Sequence, residues 1–325
     1  MRAVLCHEWG GPEGLRVEDV EPPMPGAGQV RLAVHAAGVN FADILIVAGQ
    51  YQEKPPFPFS PGMEAAGVVD AVGQGVDGLA EGDRIAYAAP PVGAYAEVRL
   101  MPADRVVALP EEIADETAAA MMLQGMTVEY LIRRTYRVQA GDTVLFHAAA
   151  GGVGLIACQW LKHLGATVIG TVGSPEKAEL AKAHGCDHTI NYRQENFTER
   201  VKEITGGDGV PVVYDSIGRD TWEGSLDCLR PLGLMVTFGN ASGPVDPVNL
   251  GILGQKGSLY VTRPTLMTYT AKREDLVASA EALFDVVLSG AVKIEVHQTY
   301  PLAQAAQAHS DLEARKTTGS TILIP

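Results

Sequence analysis

Hydrophobic and polar positions along the chain fall into two regimes. Near the N-terminus Val30, Leu32 and Val34 alternate with Arg31, Ala33 and His35, the period-two pattern of a strand with one buried face. Glycine and proline interrupt this stretch at Pro22-Pro23, Pro25-Gly26, Pro55-Pro56, Pro58, Pro61-Gly62 and Pro90-Pro91. Such punctuation predicts short strands joined by long turns. The first 110 residues therefore read as an irregular β-rich unit.

From Thr143 the rhythm changes. A short apolar run, Val144-Leu145-Phe146, precedes a stretch of helical length, Val153 to Leu164, closed by Gly165. Thr167–Val172 reads as a strand, Glu176–His184 as a helix closed by Gly185, and His188–Ile190 as a strand. A helix over Glu195–Ile204, a strand over Val210–Tyr214, a helix over Thr221–Leu229 and a strand over Leu234–Phe238 continue the series. Strands alternating with helices predict a parallel, doubly wound sheet. Beyond it, Lys272–Leu288 reads as one long helix. The tail reads as strand Lys293–Val296, helix Gln304–Leu312 and strand Thr321–Ile324. Tails of this kind pack back onto a first domain, so that domain is expected to be discontinuous.

Composition narrows the function. The 325 residues suit two domains. With 25 Lys+Arg against 39 Asp+Glu the net charge is −14, which repels phosphate backbones and argues against nucleic-acid binding. A hydrophobic share of 46% with 20% charged residues is globular rather than disordered. Cys6, Cys158, Cys186 and Cys228 show no metal-knuckle spacing, and so few scattered cysteines suit a reducing cytoplasm. Met1 to Glu8 contains no apolar core of a signal peptide. Thr143 to Leu161 carries no charge, but Gly151-Gly152 and Gly154 at its centre fit strand, turn and helix better than a membrane span. Neither G-x-S-x-G nor H-E-x-x-H is present, and the eight histidines lack ligand spacing.

The segment from Leu145 to Gly154 reads as G-x-G-x-x-G with Ala149, Gly151 and Gly154 in the three slots. Gly151 lets the backbone approach a pyrophosphate, Gly154 permits close packing of helix on strand, and the helix N-terminus offers free N–H groups. The motif alone is weak, but following a strand and opening a helix in a βαβ unit it predicts a dinucleotide site. An NAD site carries an acid ~20 residues on; here that place is Gly173-Ser174. Ser174 is a good N-cap and Pro175 a good N1 residue. Lys177 then occupies N3, where a capping box wants Glu or Gln and the helix dipole disfavours a cation. A lysine there suits an adenosine 2′-phosphate, so NADPH is expected. A solvated surface lysine is the competing reading.

The run Phe146–Trp160, with Gly173-Ser174-x-x-Lys177, Ile190-Asn191-Tyr192 and Val213-Tyr214-Asp215-Ser216-x-Gly218, resembles the NADPH:quinone oxidoreductases, the zeta-crystallin-like, zinc-independent branch of the medium-chain dehydrogenase/reductase superfamily. Further matches are Gly38-Val39-Asn40-Phe41-x-Asp43, Pro61-Gly62-x-Glu64-x-x-Gly67, Val261-Thr262-Arg263-Pro264 and Tyr300-Pro301-Leu302, so the resemblance spans essentially the whole chain. It implies an α/β architecture: a GroES-like β-rich catalytic domain (residues 1–125 and 266–325) plus a Rossmann doubly wound parallel-sheet domain (126–265). It also implies a homodimer.

By position, the resemblance implies that Asn40, Phe41, Ala42 and Asp43 lie near the nicotinamide, and that Tyr130, Gly151, Gly152, Val153 and Gly154 border the cofactor. Gly173, Ser174, Lys177 and Tyr192 would form the 2′-phosphate pocket. Ser216, Phe238, Gly239, Asn240, Ala241 and Arg315 would add NADPH contacts. Position 45 is Leu, where some relatives carry Tyr. Zinc-dependent relatives carry Cys where this chain has Asn40 and His where it has Met63. An amide and a thioether are poor zinc ligands, and the four-cysteine lobe of those relatives is absent, so no metal is expected. The expected reaction is hydride transfer from NADPH to a small quinone, with Asn40 and Tyr51 as polar groups near the developing oxyanion. An enone or alkenal reductase and a non-catalytic NADPH-binding protein are the rival readings, and Tyr51 as an ordinary loop aromatic is the rival for that residue.

Overall fold

The computed structural model describes residues 1–52 and 54–325. The chain divides into two units: residues Met1–Met126, Thr270–Leu288 and Ile294–Pro325 form the first, and Thr127–Tyr269 with Ser289–Lys293 the second. An antiparallel β-rich unit and a parallel α/β unit follow the two regimes of the sequence.

The first unit is built around the long strand Gln29–Val39. It pairs antiparallel with Glu64–Val72, Val98–Pro102 and Ser320–Ile324. Val30, Leu32 and Val34 are buried as their alternation predicts, in a core with Val4, Ile85, Tyr87 and Leu323. From Ala36 to Asn40 every residue is buried, so the alternation ends there. The tail contributes Val296–Pro301, parallel to Ser320–Ile324, and the helix Ala305–Glu313. The sequence expectation of a strand over Lys293–Val296 is displaced. Lys293 donates its amide to the Gln159 side chain inside the second unit, and ladder pairing starts only at Val296 opposite Ser320.

The second unit carries a six-stranded sheet in the order His188–Asn191, Thr167–Val172, Thr143–Phe146, Val210–Asp215, Leu229–Thr237, Tyr260–Thr262. All neighbours are parallel. This is the order of a dinucleotide-binding sheet, whose ligand edge is formed by the carboxyl ends of the strands. The helices Gly152–His163, Pro175–Ala183, Phe197–Ile204 and Trp222–Asp227 alternate with the strands. Leu145, Ile169, Ile190, Val213 and Met235 pack in one core. Ser174 caps its helix as expected, accepting from the Lys177 amide at 3.3 Å.

One close approach governs the first sheet. The pairing of Gln29–Val39 with Glu64–Val72 shifts register between Val34 and Ala36, and the bulged backbone folds onto Gly67. A Cβ at 67 would stand 2.0 Å from the Ala33 carbonyl oxygen. Because the obstacle is backbone, it does not yield as a side chain would. Gly67→Ala is expected to destabilise the protein by about 3 kcal/mol, read as a lower urea midpoint at unchanged slope; an unaltered midpoint would show that the bulge relaxes freely.

Candidate active site

In the second unit the strand ends gather the expected cofactor residues. The strand Thr143–Phe146 leads through Ala148, at φ +55°, to Gly151, the N-cap of the helix Gly152–His163. A Cβ at Gly154 would stand 2.3 Å from the Ala148 carbonyl oxygen and 2.7 Å from Ala149. The glycine thus seats the helix on the turn's own backbone rather than on the strand. Gly151 faces nothing closer than that carbonyl, at 3.3 Å. The cradle therefore fits a pyrophosphate: open backbone at Gly151 and the free amides of a twelve-residue helix.

Gly173, Ser174, Lys177 and Tyr192 come together at the end of the next strand. The Tyr192 hydroxyl lies 2.7 Å from where a Cβ at 173 would be, and Ser174 caps the helix carrying Lys177. Ser216, Gly239 and Ala241 also meet: the Ala241 amide donates to the Ser216 carbonyl, and Gly239 packs on Ser216 backbone. Phe238 donates its amide to Asp215, and Asn240 lies against Gly218. Arg263, to which no role was given, donates to the Gly239 carbonyl at 2.8 Å and to Thr237 Oγ1. Tyr130 stacks on Tyr269 with centroids 4.5 Å apart. Arg315 belongs to the first unit, at φ +58° beyond the helix Ala305–Glu313.

Beneath the turn lies a buried network that the sequence reading missed. Ser225 Oγ donates to Asp215 Oδ2 at 2.8 Å and lies 2.9 Å from His147 Nε2. Because the serine proton goes to Asp215, Nε2 carries the imidazole proton, and Nδ1 accepts from Thr171 Oγ1 at 2.9 Å. Asp215 Oδ1 takes the amides of Ile217 and Gly218. Burial pushes His147 down, with the Asp215 charge pulling the other way. The only sequence signal was a histidine directly after the strand in an otherwise uncharged stretch.

The first unit holds a second polar constellation. Asn40 caps the short helix Phe41–Val47, its amide donating to Asp43 Oδ2 at 2.9 Å. Its side-chain Nδ2 donates to Glu64 Oε2 at 2.7 Å, and its Oδ1 accepts from Gln124 Nε2 at 3.2 Å. Glu64 Oε1 accepts from the Leu123 amide. Tyr95 donates its hydroxyl to Asp43 Oδ2 at 3.3 Å and lies 2.9 Å from His309 Nε2. Burial pushes Asp43 up to about 7, with the hydrogen bonds from Asn40 and Tyr95 opposing. It pushes Glu64 up to about 8, against hydrogen bonds from Asn40 and Leu123. It pushes His309 down to about 4. Phe41 and Ala42 open the same helix, and Tyr51 follows it in a bend, its amide on the Leu45 carbonyl. Gln124, Tyr95 and His309 escaped the sequence reading, since nothing local marks them. Met63, at the position of a zinc ligand in other dehydrogenases, is buried. Among the described residues no group of three His, Cys, Asp or Glu side chains is placed to hold a metal.

Two family profiles match the chain: an alcohol dehydrogenase GroES-like domain over residues 26–111 and a zinc-binding dehydrogenase domain over 152–280. A GroES-like unit joined to a dinucleotide-type parallel sheet defines a medium-chain dehydrogenase/reductase. Within that class the chain is 54% identical over 317 residues to a quinone oxidoreductase of Pseudomonas aeruginosa, covering 98% of this chain and 97% of the relative. It is 47% identical over 330 residues to a 2-haloacrylate reductase of Burkholderia, covering 99% and 98%. The solved structure of Escherichia coli quinone oxidoreductase complexed with NADPH matches with a TM-score of 0.98 and 51% identity, over 100% of both chains. The chain belongs to the quinone oxidoreductase family.

The depressed His309 makes stability depend on pH. Its folded pKa of about 4 lies below the ordinary 6.5, so below pH 6.5 the unfolded chain takes up a proton that the native state refuses until about pH 4. Its contribution to stability is therefore lost as pH falls through that window. His309→Gln should flatten the fall of the melting temperature across it. An identical fall in wild type and variant would mean that His309 protonates freely in the native state.

Proposed function

We propose that the chain reduces quinones with NADPH, transferring a hydride without a metal. The observation that carries this is the full-length match to the quinone oxidoreductase complexed with NADPH. The cradle at Gly151–Gly154 and the missing acid at 173–174 are consistent with it. When bound, NADPH supplies the hydride. The chain's part is binding, orientation and charge stabilisation.

The helix amides after Gly151, with Gly152, Val153 and Gly154, hold the pyrophosphate. Gly173, Ser174, Lys177 and Tyr192 hold the 2′-phosphate. Ser216, Phe238, Gly239, Asn240 and Ala241 follow the dinucleotide along the strand ends. Tyr130, Phe41, Ala42, Asp43 and Arg315 are assigned to the cofactor by position. Asn40, clamped by Glu64 and Gln124, keeps one amide hydrogen for an oxygen bearing negative charge, and Tyr51 serves the same oxygen. Oxyanion stabilisation needs positioned donors rather than a strong acid. Asn40 and Met63 are the wrong donors for zinc, which supports a metal-free site. Buried, unpaired cysteines support a cytoplasmic setting.

The identity to the 2-haloacrylate reductase favours one second reading, reduction of an activated alkene. NADPH oxidation with a panel of quinones and enones, with and without a chelator, separates the two. Quinones should react fastest and the chelator should have no effect. Faster turnover of an α,β-unsaturated carbonyl than of every quinone would move the assignment. In the same assay Lys177→Ala should weaken NADPH roughly 10–100-fold and leave NADH nearly unchanged, as loss of a hydrogen bond to a charged group implies. Equal losses for both would remove Lys177 from the 2′-phosphate.

A homodimer paired through the second unit's sheet is also proposed. Tyr260–Thr262 is the edge strand, and Tyr260 is 61% exposed and Val261 37%. An uncovered edge bearing large apolar side chains is a liability that twofold pairing removes. Light scattering at micromolar concentration should give the mass of two chains, and Val261→Lys should shift it toward one. A wild-type monomer would sink the proposal.

A further inference from the structure

Among the described residues three buried side-chain polar atoms lack a hydrogen-bond partner, and two of them, Asp43 Oδ1 and His309 Nδ1, stand at the two ends of one chain of side chains. Between them run His309 Nε2, the Tyr95 hydroxyl at 2.9 Å and Asp43 Oδ2 at 3.3 Å. All three residues are almost wholly buried. His309 also lines a cavity of about 280 Å³ with Gly10, Gln50 and Glu313, roomy enough for several waters. At the other end Asp43 caps the helix begun by Asn40.

We propose that His309, Tyr95 and Asp43 form a proton relay from that cavity to the Asn40 end of the unit, supplying the proton that quinone reduction consumes. The proposal rests on the quinone reading above. A quinone that gains a hydride is left as a hydroquinone monoanion. The Asp43 carboxyl gives up its proton and a new O–H bond completes the hydroquinone. Tyr95 passes its hydroxyl proton to Asp43 and takes one from His309 Nε2. His309 takes a proton at Nδ1 from water, and rotation or back-transfer resets the tautomer. The electron pair comes from the hydride, and no further oxidant or reductant is needed.

Capping alone does not account for this chain. Asp43 Oδ2 with the Asn40 amide is a complete cap, and a phenylalanine at 95 would fill the same core. Instead the chain buries a hydroxyl and an imidazole, each with two-sided proton chemistry, and leaves their outer atoms unmatched, an arrangement that costs stability. The groups facing Asp43 are the Asn40 amide, the Tyr95 hydroxyl, the Glu64 carboxyl and the Met63 amide. The Met63 amide also faces the carboxyl and lowers it. Beyond Tyr95 lie Tyr87 and Arg99, paired at 2.9 Å. Glu313 is the charged residue that shares the His309 cavity. Burial pushes Asp43 up to about 7, which brings its proton exchange into the neutral range.

The test uses Tyr95→Phe, which keeps the cap and removes the middle of the relay, and Asp43→Asn, which keeps an acceptor for the Asn40 amide but carries no transferable proton. In both, kcat for a quinone should fall at least roughly tenfold, as loss of general acid catalysis implies. In Tyr95→Phe, which lies outside the residues assigned to the cofactor, the KM for NADPH should be unchanged; in both variants the solvent isotope effect should rise, and added small buffer acids should restore the rate in proportion to their concentration. Wild-type kcat in both variants, or losses that follow melting temperature and ignore buffer, would overturn the relay. Infrared difference spectra give a readout free of any acceptor: a buried carboxylic-acid band, absent in Asp43→Asn, should titrate at about pH 7. Lack of that band overturns the relay even if quinones are reduced, whereas a wild type that oxidises NADPH with no quinone overturns the functional reading and leaves the band to judge the relay.

Discussion

Asp43 and Glu64 have no exposed surface, and much of the first unit is arranged around them. A carboxyl taken out of water must find donors, or a proton, or both. Asn40 answers for the pair, with its backbone amide on Asp43 and its side chain on Glu64. The extended conformation that lets it do so also starts the helix Phe41–Val47. Glu64 in turn takes the Leu123 amide. Gln124 holds Asn40 from the other side and is itself held by Ser320 Oγ at 3.0 Å. Three distant stretches of chain, ending with the C-terminal strand, are thereby tied to one amide side chain. Losing that side chain would take a donor from the buried Glu64 and an acceptor from Gln124 at once, while Asp43 keeps the Asn40 backbone amide, so its effect would spread beyond one contact.

The second unit solves a similar problem with a different outcome. His147, Ser225, Thr171 and Asp215 form a closed set in which each proton has one acceptor. Asp215 is satisfied by four donors, Thr221, Ser225 and the amides of Ile217 and Gly218. No polar atom of this set is left over among the described residues. Fully matched networks of this kind rigidify, which suits a support under the glycine turn. The Asp43 chain, with unmatched atoms at its ends, has the opposite character.

The parallel sheet was legible because its strands are short apolar runs separated by helices with ordinary caps. Val144–Phe146, Thr167–Val172 and the Ser174 cap could be read from neighbours alone. The glycine turn was legible because backbone crowding leaves no other residue at 154. The Asn40–Glu64 and Tyr95–His309 contacts were not, since they join residues 24 and 214 positions apart and no local pattern marks either end. The displaced strand near Lys293 has the same origin: a side chain 134 positions away, Gln159, captures the amide that would have begun it. What stayed hidden was polar and long-range; what could be read was apolar and local.

The hydroxyl of Tyr192 occupies the space where position 173 would carry a methyl group. Tyr192 is 42% exposed, so an alanine there would swing the phenol outward rather than strain the sheet. In the proposed 2′-phosphate pocket this contact would be a selectivity setting that involves no charged residue. A single carbon atom at the end of a strand would reposition an aromatic ring. If the proposed 2′-phosphate pocket is the one used, coenzyme choice can shift there without a lysine being gained or lost.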